Sequence, residues 1–270
     1  MGRTWLRPRA IIKLYSTDTK FLYFTHNTSS SNFVHSLSIT MELYDIHTHQ
    51  ILLEDNDDPY HSCILDVYPL EFEVAKDTYQ RHGFSCGIHP WYAEDSEPQL
   101  KFLAEIAPHP RIIAIGETGL DKIKGPSFEV QIPVFKRHIE LSEQLQKPLI
   151  IHAVKAWEQL YQIRQELKPS QPWIIHGFRG NPQVTQQMVK AGFMFSLGDR
   201  FNVDSLEFIP INSLFCETDE DEMDIREVYQ QVADALNLDI EDLAAHIAQN
   251  VHRVFPTLQT PPSYFIGDED

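Results

Sequence analysis

The chain has 270 residues, 42% of them apolar, and a formal net charge of −17 at pH 7. That apolar share supports a real core and excludes wholesale disorder, and no apolar stretch approaches the roughly 18 residues that span a bilayer. The charge is uneven: residues 1–40 hold five Lys/Arg and one acid, which leaves 17 bases and 38 acids from Met41 onward. Such an acidic body repels polyanions at long range and argues against broad, non-specific duplex binding.

Residues 1–40 are poor in acids, rich in Ser, Thr and Asn (Asn27–Asn32), and without a clear period. We read them as an N-terminal extension, poorly ordered or upstream of a natural start at Met41. An Arg/Ser-rich targeting segment is the competing reading. No apolar segment follows the arginines as a secretory signal would require. We read residues 41–258 as a single barrel domain and 259–270 as a loose acidic tail. Cys63, Cys86 and Cys216 lie in or beside apolar runs without CxxC spacing. They read as buried thiols of a reducing, cytoplasmic compartment.

From Met41 the chain contains eight short apolar runs: Leu43–His47, Cys63–Val67, Phe84–Ile88, Arg111–Gly116, Leu149–His152, Trp173–His176, Phe193–Leu197 and Ser213–Cys216. Most are continuously apolar, as strands buried on both faces are. Helical spacing marks Glu71–His82, Val134–Leu145, Trp157–Leu167, Pro182–Ala191, Ile225–Leu236 and Glu241–Phe255. Strand then helix, repeated, means a parallel sheet with right-handed crossovers. Eight such strands predict an α/β fold of the (β/α)8 TIM-barrel type. The acidic, turn-rich segment after His49, Gln50 to Tyr60, predicts a short loop in place of the first helix.

Six candidate metal ligands sit at the ends of these runs: His47, His49, Glu117, His152, His176 and Asp219. His47 and His49 are two apart on a strand and so share a face; Asp45 precedes them inside the same run. Glu117 directly follows Ile112-Ile-Ala-Ile-Gly116, with Asp121 nearby, and its two oxygens can bridge two metals. A lone histidine after an apolar run is commonly a hydrogen-bonded structural group. Pro148-Leu-Ile-Ile-His152 and Pro172-Trp-Ile-Ile-His176, however, place one in equivalent positions on consecutive strands, which points to ligation. Asp219 can ligate a metal and take a proton from an activated water. Glu217 reads as a supporting or structural acid. His89, ending the third run before Pro90, is a further candidate for binding a substrate phosphate or positioning the leaving group, against a structural role before a turn. His82, His109, His138 and His246 are expected to be solvated.

The ordered set Asp45-Ile-His-Thr-His49, Gly87-Ile-His-Pro90, Ile115-Gly-Glu-Thr-Gly-Leu-Asp121, Pro148-Leu-Ile-Ile-His152, His176-Gly-Phe-Arg-Gly180, Glu217-Thr-Asp219 and the closing helix with Asn250 and Phe255 resembles the TatD family of metal-dependent hydrolases, over residues 42 to 255. The resemblance implies two divalent metals, Mg, Mn or Zn. His47, His49, Glu117 and Asp219 would hold one, and Glu117, His152 and His176 the other. It further implies hydrolysis of ester bonds by a metal-activated water, with DNase or 3'-exonuclease activity on DNA or another phosphodiester. Asp219, Glu117 and His89 would be the catalytic groups, in a monomer with no membrane association. Three features depart from the family pattern. Ala153 and Val154 follow His152 where His-x-Arg is usual, with Lys155 next; Glu220 and Asp221 follow Asp219 where a proline is usual; and the first helix is missing. The absent arginine keeps open a second reading, hydrolysis of a small amide, lactone or phosphoester on the same two-metal site.

Overall fold

Each of the eight apolar runs forms a strand, and all eight strands are parallel and adjacent in chain order, from β1 through β8. A computed structural model describes residues 41–49, 61–79 and 82–258. The strands are β1 (Leu43–Thr48), β2 (His61–Val67), β3 (Gly83–Cys86), β4 (Ile112–Asp121), β5 (Leu149–Val154), β6 (Trp173–Ile175), β7 (Met194–Leu197) and β8 (Leu214–Cys216). Beyond β8, Asp219 pairs in parallel with Thr48 of β1. Asp219 N–H donates to the His47 carbonyl at 2.9 Å, and His49 N–H donates to the Asp219 carbonyl at 3.0 Å. The sheet thus returns to its first strand, and the fold is the expected (β/α)8 barrel. The expected extension at 1–40, the loop in place of the first helix at 50–60 and the tail at 259–270 lie outside the described residues.

The strands are mainly apolar because the barrel interior takes one face and the helices cover the other. The helices are α1 (Phe72–Thr78), α2 (Glu97–Ile106), α3 (Phe128–Leu145), α4 (Trp157–Leu167), α5 (Pro182–Lys190), the short α6 (Val203–Leu206), α7 (Ile225–Leu236) and α8 (Ile240–Val254). Trp173 illustrates the layer between them: it is fully buried, with the rings of Phe135 of α3 and Phe193 at 5.5 and 5.7 Å. Asn181, Asn202 and Asp224 accept first-turn N–H groups at the starts of α5, α6 and α7, satisfying donors that have no partner within the helix.

Two helices differ by more than one residue from their sequence-predicted extents, and one of more than a single turn was not predicted. α1 stops at Thr78 instead of reaching His82. α3 begins at Phe128, upstream of Pro133, which the sequence pattern treats as a boundary. Pro133 is the sixth residue of the helix and is exposed, so the helix forgoes one N–H bond, to the Glu129 carbonyl, on its outward face. α2 has no counterpart in the predicted set. Pro98, Pro108 and Pro110 give its surroundings the look of a loop, and it buries only Leu100 and Leu103. No helix among the described residues is long and apolar enough to cross a membrane.

Two of the four histidines expected in solvent are buried. His138 on α3 is fully enclosed: its Nδ1–H donates to the Val134 carbonyl at 2.8 Å and its Nε2 accepts the Ile88 N–H at 3.0 Å. His82 is also buried, with Nδ1 accepting the Cys63 N–H at 3.4 Å. In both cases a backbone partner on a distant segment draws the ring inward, and no periodicity in the local sequence reports that.

Candidate metal centre

The parallel arrangement brings every strand's C-terminal end to one face, where loops carry chemistry and the strands hold it rigid. Asp45 and His47 lie two apart on β1 and share a face, and His49 follows directly after its last residue. On β4 the register with β5 shifts between Ile115 and Thr118, an irregularity of the kind that re-aims a side chain. Gly116 and Gly119 flank Glu117 with φ of 149° and 143°. A Cβ on them would lie 2.5 Å from the Ile150 carbonyl oxygen and 2.1 Å from that of His152. Only glycine permits this close approach to β5, and the approach sets Glu117 against the β5 histidine.

Glu117 is the hub, and its two oxygens face different partners. Oε1 lies 2.7 Å from His152 Nδ1, 2.7 Å from His176 Nε2 and 3.2 Å from His89 Nε2. Oε2 lies 3.4 Å from His49 Nε2 and 3.8 Å from His47 Nε2. Asp219 Oδ1 completes the second group, 3.5 Å from His49 Nε2 and 3.7 Å from His47 Nε2. All six sequence-predicted ligands therefore converge, and His89 stands among them. Its Nδ1 accepts the Trp91 N–H at 3.2 Å, which leaves the proton on Nε2, toward Glu117.

Supporting groups fix these side chains. Asp45 accepts Thr218 Oγ1–H at 2.6 Å and the N–H groups of Thr218 and His47, both at 3.2 Å. It thereby ties β1 to the turn that presents Asp219. Burial pushes the Asp45 carboxyl up to about 8. Glu217 accepts the Gly177 N–H at 2.6 Å and sits 3.3 Å from His176 Nδ1, the supporting place its sequence context suggests. Asp121 Oδ2 lies 3.2 Å from His152 Nε2 and accepts Trp91 Nε1–H at 2.6 Å. The sequence reading missed Asp66 of β2. It accepts the Glu117 N–H at 2.6 Å and Ser85 Oγ–H at 2.8 Å, and lies 3.9 Å from His49 Nδ1. The signal was available: a carboxylate inside the apolar run Cys63–Val67 must be buried, and a buried acid needs partners.

The electrostatics fit a cation. Burial together with neighbouring histidines, His176 foremost, pushes His47 well below its ordinary value, so its ring is neutral, the form that ligates metal. Both His47 ring nitrogens are buried and accept or donate no hydrogen bond among the described residues, an unmet capacity that a metal ion would satisfy. Burial opposes charge on Glu117, but the surrounding histidines, led by His176 and His89, outweigh it and hold the carboxyl well below its usual range. Groups of three donors lying within 4.8 Å of one another include His47, His49 and Asp219; His47, Glu117 and His176; and His89, Glu117 and His152. Mixed imidazole and carboxylate donors suit Mg, Mn or Zn without choosing among them.

The sequence pattern of the family described as TatD related DNase matches residues 66–256. An uncharacterized metal-dependent hydrolase, YabD of Bacillus subtilis, is 28% identical over 195 residues, which cover 63% of this chain and 76% of that protein. Human deoxyribonuclease TATDN3 is 27% identical over 225 residues, 70% of this chain and 81% of that one. Among solved structures, the TatD homolog YJJV of Escherichia coli superposes with a TM-score of 0.71 at 19% identity, over 81% of this chain and 99% of that chain.

Proposed function

The chain belongs to the TatD family of metal-dependent hydrolases, and from that premise we propose that it hydrolyses phosphodiester bonds of DNA. The observation that carries this reading is the division of the Glu117 carboxylate. Oε2 faces His47 and His49 beside Asp219, while Oε1 faces His152 and His176. One carboxylate shared between two donor sets is what a paired-metal phosphodiesterase needs. His47, His49, Glu117 and Asp219 would hold one divalent ion, and Glu117, His152 and His176 the other. Bound there, divalent ions polarise a phosphoryl oxygen and lower the pKa of water toward about 7.

The chain's own groups do the rest. Asp219, a third exposed at the mouth of the centre, accepts the proton of the attacking water. Its backbone is pinned on both sides by β1, so the carboxylate keeps its place as the proton moves. His89 Nε2–H, the proton left free by the Trp91 bond, donates to a phosphate oxygen. Asp121 and Glu217 hold the rings of His152 and His176 in orientation. We take residues 41–258 as the catalytic barrel, acting as a monomer in the cytoplasm. Cys63, Cys86 and Cys216 are all buried free thiols, which suits a reducing compartment.

One observation favours a second reading, hydrolysis of a small amide, lactone or phosphoester. Val154 stands where a guanidinium would follow His152, and Lys155 does not reproduce its bidentate geometry. The deciding measurement is release of nucleotides from 3'-labelled single-stranded DNA with Mg, Mn or Zn, with Glu117→Ala run beside the parent. We expect metal-dependent cleavage by the parent. The variant should lose several kcal/mol of transition-state stabilisation, about a thousandfold in rate. No cleavage with any metal, alongside turnover of lactone or amide substrates, selects the second reading.

A further inference from the structure

The acidity of the whole chain is unevenly spread over the rim of the metal centre. Three neighbouring loops follow β4, β5 and β6, which are adjacent in the sheet. They comprise residues 122–127, 155–156 and 176–181, and they contain Lys122, Lys124, Lys155 and Arg179 and not one acid. All four cations are exposed. The loop after β8 is the opposite: from Glu217 to Asp224 it holds six acids and no base. Between them, the loop after β7 holds Arg200, which lies 2.8 Å from Asp199 of its own loop and 3.4 Å from Asp221 of the acidic loop. In a chain of formal charge −17, three adjacent loops free of acids, with Glu94 and Asp95 exposed in the loop after β3 beside them and six acids in the loop after β8, give a polyanion one favoured side of the centre.

The inner end of the basic side is fixed to the metal centre by one carboxylate. Asp121 Oδ1 accepts the N–H groups of Ile123 and Lys124 at 2.7 and 2.9 Å. Its Oδ2 accepts Trp91 Nε1–H at 2.6 Å and lies 3.2 Å from His152 Nε2. Gly125, with φ of 86°, lets this loop press on the Pro90–Tyr92 turn, where a Cβ would sit 2.9 Å from Trp91 Cα. The Lys124 ammonium lies 3.1 Å from the Trp91 ring centroid, and Tyr92, next to Trp91, is 36% exposed. An ammonium and aromatic rings held at the lip of a phosphodiesterase centre match the two things a single strand offers, phosphates and base faces.

We propose that the loops after β4, β5 and β6 form a track for the backbone of a single-stranded polynucleotide, with Lys122, Lys124, Lys155 and Arg179 meeting phosphates beyond the one being cleaved. The proposal rests on the phosphodiesterase reading above and adds a direction to it. The strand leaves the centre over the β4–β6 side, away from the acidic loop after β8. Substrates with several phosphates gain from the track; a small phosphodiester does not.

The test compares two fourfold variants that each remove four positive charges. The track variant carries Lys122→Gln, Lys124→Gln, Lys155→Gln and Arg179→Gln. The control carries Lys101→Gln, Arg137→Gln, Lys168→Gln and Lys190→Gln, four exposed positions on or just after outer helices. Binding of a fluorescently labelled 12-mer of deoxythymidylate is followed by anisotropy across a salt series, at equal melting temperature of the three proteins. At about 0.7 of salt slope per phosphate contact on single strands, the track variant should lose about 2–3 in slope and bind on the order of 10–100-fold more weakly at low salt. The control should bind within about twofold of the parent. Equal weakening of both variants, an unchanged track variant, or a parent that does not bind the 12-mer overturns the track. Hydrolysis of bis(4-nitrophenyl) phosphate, measured in parallel, should be the same for the track variant and the parent. If the parent cleaves no phosphodiester with any metal, the phosphodiesterase reading fails, while the binding arm still decides the track by itself.

Discussion

At the scale of single residues, the candidate ligands were legible because each is a polar residue closing an apolar run. A polar group in that place must be satisfied by something, and several such groups in one parallel sheet must meet. Asp66 was legible only as a buried acid in need of partners, and Trp91 not at all. The importance of Asp66 comes from the Glu117 N–H it accepts, on a strand 51 residues away, and that of Trp91 from Asp121. The Asp121 network gives a direct prediction. Asp121→Asn keeps the size of the side chain but removes the charge beside His152, and should cost about 10–100-fold in metal affinity or activity with the fold intact, as losses of groups that orient metal ligands do. Metal titration together with kcat and KM checks it; an unchanged metal affinity and rate removes Asp121 from the site. His138 gives a second prediction. Burial holds its folded-state pKa down, to about 4 from the ordinary histidine value of 6.5. The unfolded chain takes up this proton first as pH falls, so the stability is fully present above about pH 6.5 and is lost toward pH 4. The loss is up to about 3 kcal/mol for a shift of this size. His138→Gln should show a shallower fall of melting temperature between pH 7 and 4.5 than the parent; parallel curves would mean the ring is not held neutral.

At the scale of elements, all eight strands coincide with the apolar runs to within a few residues, because a strand buried on both faces needs little more than continuous apolar sequence. Helices with a strong apolar stripe were equally plain, α4 and α7 to the residue. α2 was hidden by its prolines, and the length of β4, ten residues through Asp121, was hidden by its Gly-Glu-Thr-Gly centre. Those glycines break the apolar pattern while permitting the close approach to β5 that aims Glu117. The closing helix α8 is tied to the barrel by Asn250, whose Nδ2 donates to the carbonyls of Ile211 and Leu214 at 2.7 and 2.9 Å. Asn250→Ala leaves both carbonyls without that donor and should lower unfolding free energy by about 1–3 kcal/mol. Urea denaturation reads this as a lower midpoint at unchanged slope.

At the scale of the molecule, the candidate centre gathers groups from the ends of β1, β4, β5, β6 and β8, so anything that binds there links most of the barrel's circumference. A divalent metal that binds only the folded chain should therefore stabilise it by about 2.7 kcal/mol at a hundred times its Kd, and chelation should reverse the gain. Calorimetry with and without Mg, Mn or Zn tests this, and the Glu117→Ala variant should respond less; an equal rise in both would mean the metal binds elsewhere. The sequence by itself determined the barrel, its strand order and the set of ligand candidates, since those follow from local hydrophobicity, the period of each element and the handedness of parallel crossovers. Only the tertiary structure decided which Glu117 oxygen meets which histidine, that His138 is a neutral buried clamp, and that the exposed cations after β4, β5 and β6 lie side by side at the rim. Those facts depend on angstrom-scale approach between residues tens of positions apart, and the net charge of a chain does not say where folding will place it.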